Sequence, residues 1–258
     1  MKKYYIIPNL SEINKYIELS NKYNLGFEYN EFYEPLLLDD PFRLSTTINE
    51  YKRIGRKNDT LHGVFYDIVL DSNDPKIKDI SLKRVKSSLD IASKLNCKGV
   101  VFHTNYITWM KNQWYRDKWK EVHRRLYLEL IEQYKDLEIY IENMFDLDPY
   151  LLADLIKEIN HPRIGVCLDT AHASISGVDI EEWFNVLGKY IKHIHINDND
   201  KIVDSHMELG KGIIDYKKIF HFINNLENDV SILIEIKDYE KTVNSIKYLK
   251  DGGFDDIK

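Results

Sequence analysis

Cysteine is scarce in this chain: Cys97 and Cys167 are the only two in 258 residues. A disulfide framework is therefore not indicated; both thiols are set on or beside apolar runs, and Cys167 reads as barrel packing. Positive charge is short as well, with 36 Lys and Arg against 42 Asp and Glu and a net charge of −6. No overall basic footprint exists to draw in a phosphate backbone, which counts against a dedicated nucleic-acid binder. No apolar run approaches the roughly 20 residues of a membrane span. The opening stretch, MKKYYIIPNLSEINKY, turns polar too early for a secretory leader. The expectation is a cytoplasmic protein with no membrane contact. With only 11 Gly and 6 Pro beside 43% hydrophobic residues, collagen-like and low-complexity classes fall away and a globular chain remains.

What is present is alternation. Short runs rich in β-branched and aromatic residues are separated by longer amphipathic stretches, the pattern of repeated βα units on a parallel sheet. Eight runs read as strands: 4–7, 26–29, 60–65, 99–103, 138–142, 164–169, 193–197 and 232–236. Eight such units point to a closed (β/α)8 barrel, and its usual length of about 250 residues matches a single domain over 1–258. Ser11 reads as the N-cap of a helix whose stripe is Ile13, Tyr16, Ile17 and Leu19. Further helices are expected over 80–95, with Ile80, Val85, Leu89, Ala92 and Leu95 facing inward, and over 114–134, with Leu126, Leu130 and Tyr134. The spans 149–159, 180–190, 216–226 and 241–249 complete the set. Residues 31–58 read as an extended loop with a short helix at 47–54, and the tail from Asp251 as a solvated terminus.

Strands of a parallel barrel are covered on both faces and should be apolar throughout, so polar residues at their carboxyl ends are the informative exceptions. The third run carries His62, the fourth ends at His103, the fifth at Glu142 and the sixth at Asp169, with His172 just beyond. The seventh carries His195 and leads to Asp204 and His206, and Glu235 lies in the eighth. Each alone has a bland reading: a lone strand-end His is more often a hydrogen-bonded structural residue, and Asp169 is a natural cap for the next helix. Jointly, these four carboxylates and five imidazoles would be costly to bury without a cation. Imidazole and carboxylate without thiolate suit Zn, Mn, Co or Fe(II). Cys167 and His193 each lie two residues before a candidate ligand, so both are expected a layer deeper on the same side. Trp109, Trp114 and Tyr115 are candidates for a lid, a sugar-stacking wall or a subunit contact in a homo-oligomer.

The motifs HGVFYD, VVFH, IEN, IGVCLDTAHA, HIHIND, DSH, LGKG and IEI stand in order along the chain. In that order they resemble the xylose-isomerase-like barrels, a superfamily that includes the family 2 AP endonucleases (endonuclease IV) and sugar-phosphate isomerases and epimerases. The resemblance runs from about Tyr4 to Tyr239. In the isomerases and epimerases it implies one divalent metal, usually Mn, Co or Mg, on Glu142, Asp169, His195 and Glu235; with the imidazole-containing donor set here, Zn, Mn or Co is expected. Glu142 and Glu235 would then exchange a proton with an open-chain sugar or sugar phosphate through an enediolate, and His172 would contact substrate; Lys211 in the LGKG loop reads either as a phosphate contact or as a solvated side chain. In the endonucleases it implies a cluster of up to three zinc ions. His62, His103, His172, Asp204 and His206 would join the first four as ligands for phosphodiester or phosphomonoester hydrolysis, with nucleic acid as partner. Ser205 stands where those endonucleases carry Arg, and the first strand reads YIIPN rather than GAHVS. The isomerase reading therefore leads, ahead of the hydrolase and of a barrel that only binds.

Overall fold

A computed structural model describes residues 2–254. Eight parallel strands close into a barrel in chain order: β1 Lys2–Ile6, β2 Gly26–Tyr29, β3 Thr60–His62, β4 Gly99–His103, β5 Glu138–Glu142, β6 Ile164–Asp169, β7 Ile191–Ile196 and β8 Val230–Ile234. Strands β2, β4, β5 and β6 keep the bounds read from the sequence. The first and eighth begin two residues earlier, because β8 pairs with β1 from Val230 and Lys2 onward, and the seventh does so because Ile191 pairs with Val166 of β6. The third ends at His62, three residues short of expectation, and residues 63–65 already belong to the following loop.

Helices α1 Ile13–Tyr23, α2 Pro35–Leu38, α3 Pro41–Ile54, α4 Pro75–Lys94, α5 Gln113–Gln133, α6 Tyr150–Ile159, α7 Thr170–Ile175, α8 Ile180–Leu187, α9 Tyr216–Asn224 and α10 Tyr239–Asp251 follow the strands. Most starts are set by an aspartate cap, including Asp40, Asp74, Asp169, Asp179, Asp215 and Asp238. Proline at the first turn of α3 and α4 gives up an N–H that would lack an intrahelical partner in any case. Ser11 is not a cap: Asn9 accepts its N–H and starts a 3-10 turn, Leu10–Glu12, ahead of α1. In α4 the helix begins earlier than its apolar stripe, and Ile80 is turned outward at 47% exposure. The buried stripe of α5 is Tyr115, Trp119, His123, Tyr127, Leu130 and Ile131, so a histidine occupies a position that apolar spacing alone passes over. Residues 255–258, part of the expected solvated tail, lie outside the described residues.

The chain divides into two compact units. One comprises the residues through Glu28, Asn143–Tyr150 and the chain from Val166; its core includes Ile6, Leu168, Ile194, Ile196, Ile232 and Ile234, all without solvent contact. The other comprises Tyr29–Glu142 and Leu151–Gly165, with Leu61, Val100, Val101, Ile139 and Ile141 equally buried. Each such side chain contributes roughly 1.5–3 kcal/mol of burial, and the all-buried pattern of β6 is what a parallel strand covered on both faces requires. Among the described residues no helix is long and apolar enough to cross a membrane.

Candidate metal centre

The polar residues at the strand ends and in the segments just after them fall into three groups. In the second unit, His62 at the end of β3 and His103 at the end of β4 converge on Glu142 at the end of β5. Their Nε2 atoms stand 3.4 and 3.3 Å from the same carboxylate oxygen, Oε2. The His62 Nδ1–H donates to the carbonyl of Gly63, which fixes the ring with Nε2 toward the carboxylate. Phe65 stacks on His103 and meets His62 edge-on, walling this group with an aromatic face.

In the first unit, Asp169, His195 and Glu235 each offer one ligand atom, and these atoms lie within 4.8 Å of one another. Asp169 is held from several sides. Its Oδ1 caps α7 by accepting the His172 N–H at 2.6 Å, and its backbone N–H and C=O both pair with the Asn143 side chain at 2.9 Å. His195 Nδ1 faces Glu235 Oε2 at 3.6 Å, and Asn197 donates to that same oxygen. Capping uses Oδ1, so the reading of Asp169 as a cap does not exclude its reading as a ligand.

The third group is Asp204 with His172 and His206. Both imidazoles approach its Oδ2 through Nε2, at 3.2 and 2.9 Å. His172 is locked from behind by donating Nδ1–H to the carbonyl of Asn143, and His206 by donating to the carbonyl of Glu235. Burial alone would raise the Asp204 carboxyl, but hydrogen bonds from His172 and His206 outweigh it and hold the group well below the usual carboxylate range. Burial lowers His206, and the charges of Glu235 and Asp204 reverse that and push it up to about 10. The loop is shaped by Asp198, whose carboxylate collects the N–H groups of Asn199, Gly210 and Ile214. Gly210 sits at φ 80°, and a Cβ on Gly212 would meet Asn199 O and Asp198 Oδ1 at 2.3 Å, so both glycines are required there.

Of the remaining expectations, Lys211 is exposed in the turn closed by its N–H to Glu208. Trp109 and Trp114 are exposed at 80% and 64%, whereas Tyr115 is buried, stacks on Tyr106 and accepts the Ile107 N–H, so it belongs to the packing of its own loop. Cys167 and His193 are both fully buried, and they pair with each other in the β6–β7 register two residues before Asp169 and His195. Sequence reasoning missed Glu28. This carboxylate lies on β2 with no solvent exposure, 3.0 Å from His193 Nε2 through Oε2 and 3.2 Å from His195 Nε2 through Oε1. Burial would raise it, but His195 and His193 hold it well below the usual range. The available signal was a charged residue inside GFEY, a four-residue run that is otherwise strand-forming and apolar.

Comparison with known proteins agrees with this architecture. The family profile described as xylose isomerase-like TIM barrel matches residues 23–252. An uncharacterized protein of Methanocaldococcus jannaschii is 31% identical over 190 residues, covering 72% of this chain and 71% of its own. A Mycoplasma mobile protein named probable endonuclease 4 is 32% identical over 123 residues, 39% of this chain and 44% of its own. The crystal structure of a D-tagatose 3-epimerase-like protein superposes with a TM-score of 0.77 over 96% of each chain at 22% identity, which is a likeness of fold. The chain belongs to the xylose isomerase-like TIM barrel family.

Proposed function

We propose that this protein is a metal-dependent sugar or sugar-phosphate isomerase or epimerase. The observation that carries the reading is the convergence of Asp169, His195 and Glu235 at strand ends. Glu142 ends β5, the strand before β6 in the closed order, and serves as the fourth ligand. Three carboxylates and one imidazole without thiolate fit Mn, Co or Zn. When bound, such an ion supplies Lewis acidity, polarising a sugar carbonyl and acidifying the adjacent C–H.

The chain's own residues do the rest. Glu142 and Glu235 come from different strands, so one removes the proton from the sugar carbon and the other returns it. His172, its ring held by Asn143, presents Nε2 to a substrate hydroxyl beside Asp204. Lys211, exposed on the loop after β7, meets the phosphate of a phosphorylated substrate. The D-tagatose 3-epimerase-like neighbour supports the sugar class. The test is solvent-deuterium uptake by candidate ketoses and their phosphates. Exchange should require the metal and disappear in Glu142→Gln and Glu235→Gln, and exchange that persists in both variants overturns the proposal.

A second reading has its own observation. Two imidazoles on one carboxylate oxygen occur twice, at Glu142 and at Asp204, and such groups hold further ions in a multinuclear hydrolase of phosphodiesters or phosphomonoesters. The relative named probable endonuclease 4 points the same way. The net charge of −6 and Ser205 weigh against a DNA substrate. Elemental analysis separates the two: about one ion per chain supports the isomerase, and two or three support the hydrolase.

A further inference from the structure

We infer that Asn143 is a positioning residue, holding Asp169 and His172 in one hydrogen-bonded frame and so setting a candidate metal ligand and a candidate substrate contact together. The inference rests on the reading above, in which Asp169 is a ligand. The frame is a closed circuit. Asn143 Nδ2–H donates to the Asp169 carbonyl, and the Asp169 N–H donates to Asn143 Oδ1, both at 2.9 Å. The His172 N–H donates to Asp169 Oδ1 at 2.6 Å, and the His172 ring returns to the Asn143 carbonyl at 2.8 Å. Three of these four bonds end on Asn143, which is itself neither a ligand nor a substrate contact.

The circuit answers a local shortage of partners. Strand β6 runs on to Asp169, whereas β5 stops at Glu142. A backbone N–H and C=O at a buried strand end must be paired, and a primary amide offers the same donor and acceptor as a peptide group. The side chain of Asn143 thus stands in for a strand that has ended. Neither Asn143 nor Asp169 has any solvent exposure. Burying an amide is costly unless it is hydrogen-bonded, so the asparagine is explained by the two backbone groups it satisfies and not by packing.

The consequences reach both functional side chains. Asp169 stands level with His195 in the β6–β7 register, and the two offer atoms to the same candidate centre. The carboxylate hangs from the backbone that Asn143 grips, so loss of the amide lets it shift relative to His195. Helix α7 has only six residues, too few to fix its own start, and His172 moves with the cap. A purely structural asparagine would loosen the surrounding sheet evenly; a positioning one confines the effect to Asp169, His172 and the ion.

The experiment uses the full chain, stripped of metal by a chelator, with amide hydrogen exchange by NMR and Co(II) as the probe. In the metal-free wild type the amides of Asp169 and His172 should exchange slowly. Asn143→Ser removes the amide and leaves room for water to satisfy the backbone, which keeps the fold. In it those two amides should exchange about tenfold faster, as expected for a lost hydrogen bond. The amides of Ile194 and Ile232, paired in β7 and β8, should keep their wild-type rates. The Co(II) dissociation constant should rise about 10–100-fold, the usual effect of removing a group that orients a ligand. Asn143→Gln, which keeps an amide at longer reach, should recover part of the loss.

Fast exchange of the Asp169 amide in the wild type overturns the inference before any variant is made. So does Co(II) binding by Asn143→Ser within about twofold of wild type, or acceleration shared equally by all four amides. Variants that both fail to fold assign Asn143 to the fold alone and overturn it too. Wild type that takes up no Co(II) overturns the metal reading and this inference with it.

Discussion

Glu142 and Asp204 present the same motif in two settings. Each has one oxygen approached by two imidazole Nε2 atoms: His62 and His103 at Glu142, His172 and His206 at Asp204. The Glu142 group stands on three strand ends, with side-chain exposures of 3%, 8% and 0%. The Asp204 group stands on a short helix and a loop, where His206 adopts φ 44° and keeps 41% of its side chain in solvent. Barrel hydrogen bonds hold the first in one geometry, as an acid–base residue or permanent ligand needs. The second can adjust, which suits a group that meets a substrate or takes an ion only under some conditions.

The largest expected difference between the groups is catalytic. Glu142→Gln should lower the rate of sugar C–H exchange by about 10²–10⁴-fold, the range for a lost general acid or base. Asp204→Asn should leave the maximal rate near that of wild type and act on KM. Measured side by side in a deuterium-exchange assay, equal losses of rate in both variants would erase the distinction and favour a multinuclear centre.

The next effect is on stability, with opposite signs in two imidazoles. His123 is buried in α5, stacked on Trp119 and donating Nδ1–H to that residue's carbonyl. Burial, against smaller upward contributions from the Trp119 carbonyl and Asp71, lowers it to about 4. A histidine whose folded value lies below its unfolded one of about 6.5 contributes fully at pH above 6.5. That contribution is lost as pH falls toward 4, and amounts to about 3 kcal/mol. His123→Gln should flatten the rise of urea-unfolding free energy between pH 4 and 6.5; an unchanged slope would show that His123 is not its source. His206 runs the other way. Its folded value is raised to about 10, so its contribution is complete below 6.5 and is lost as pH rises through about 10. Solvent at the half-exposed ring screens that contribution, so its effect on stability should be the smaller.

The smallest expected effect is on the ions themselves. In the metal-free protein a proton on His206 takes the place a cation would hold beside Asp204 and Glu235. Any second Zn(II) equivalent must displace it and should bind more tightly as pH rises from 6 to 9. Calorimetric titration would show this as proton release that disappears in His206→Ala. The first equivalent, which the proposed function assigns to the strand-end ligands, should bind alike in both proteins.

The reach of the sequence differs from residue to residue. Asp169 could be read twice, as cap and as ligand, because a strand-to-helix junction with Asp at its end has few other uses. Glu142 stood out as a charge closing an apolar run, and Glu235 as a charge near the end of one. Glu28 did not, because it lies inside its strand, and its charge made sense only beside His193, 165 positions away. His123 lies at a position that apolar spacing passes over, since an imidazole in a buried stripe depends on the aromatic rings stacked on it. Tyr115, grouped with the two tryptophans, was separated from them only by the packing of its own loop.

By itself the sequence determined the alternation of βα units, the closed barrel class and the residues that end the strands, because an apolar run must be covered and its polar end must face an opening. Only the tertiary structure decided which nitrogen of each histidine meets which oxygen, and that a buried glutamate stands beside His193 and His195. Those pairings depend on the register between strands far apart in the chain, and no local pattern records that register.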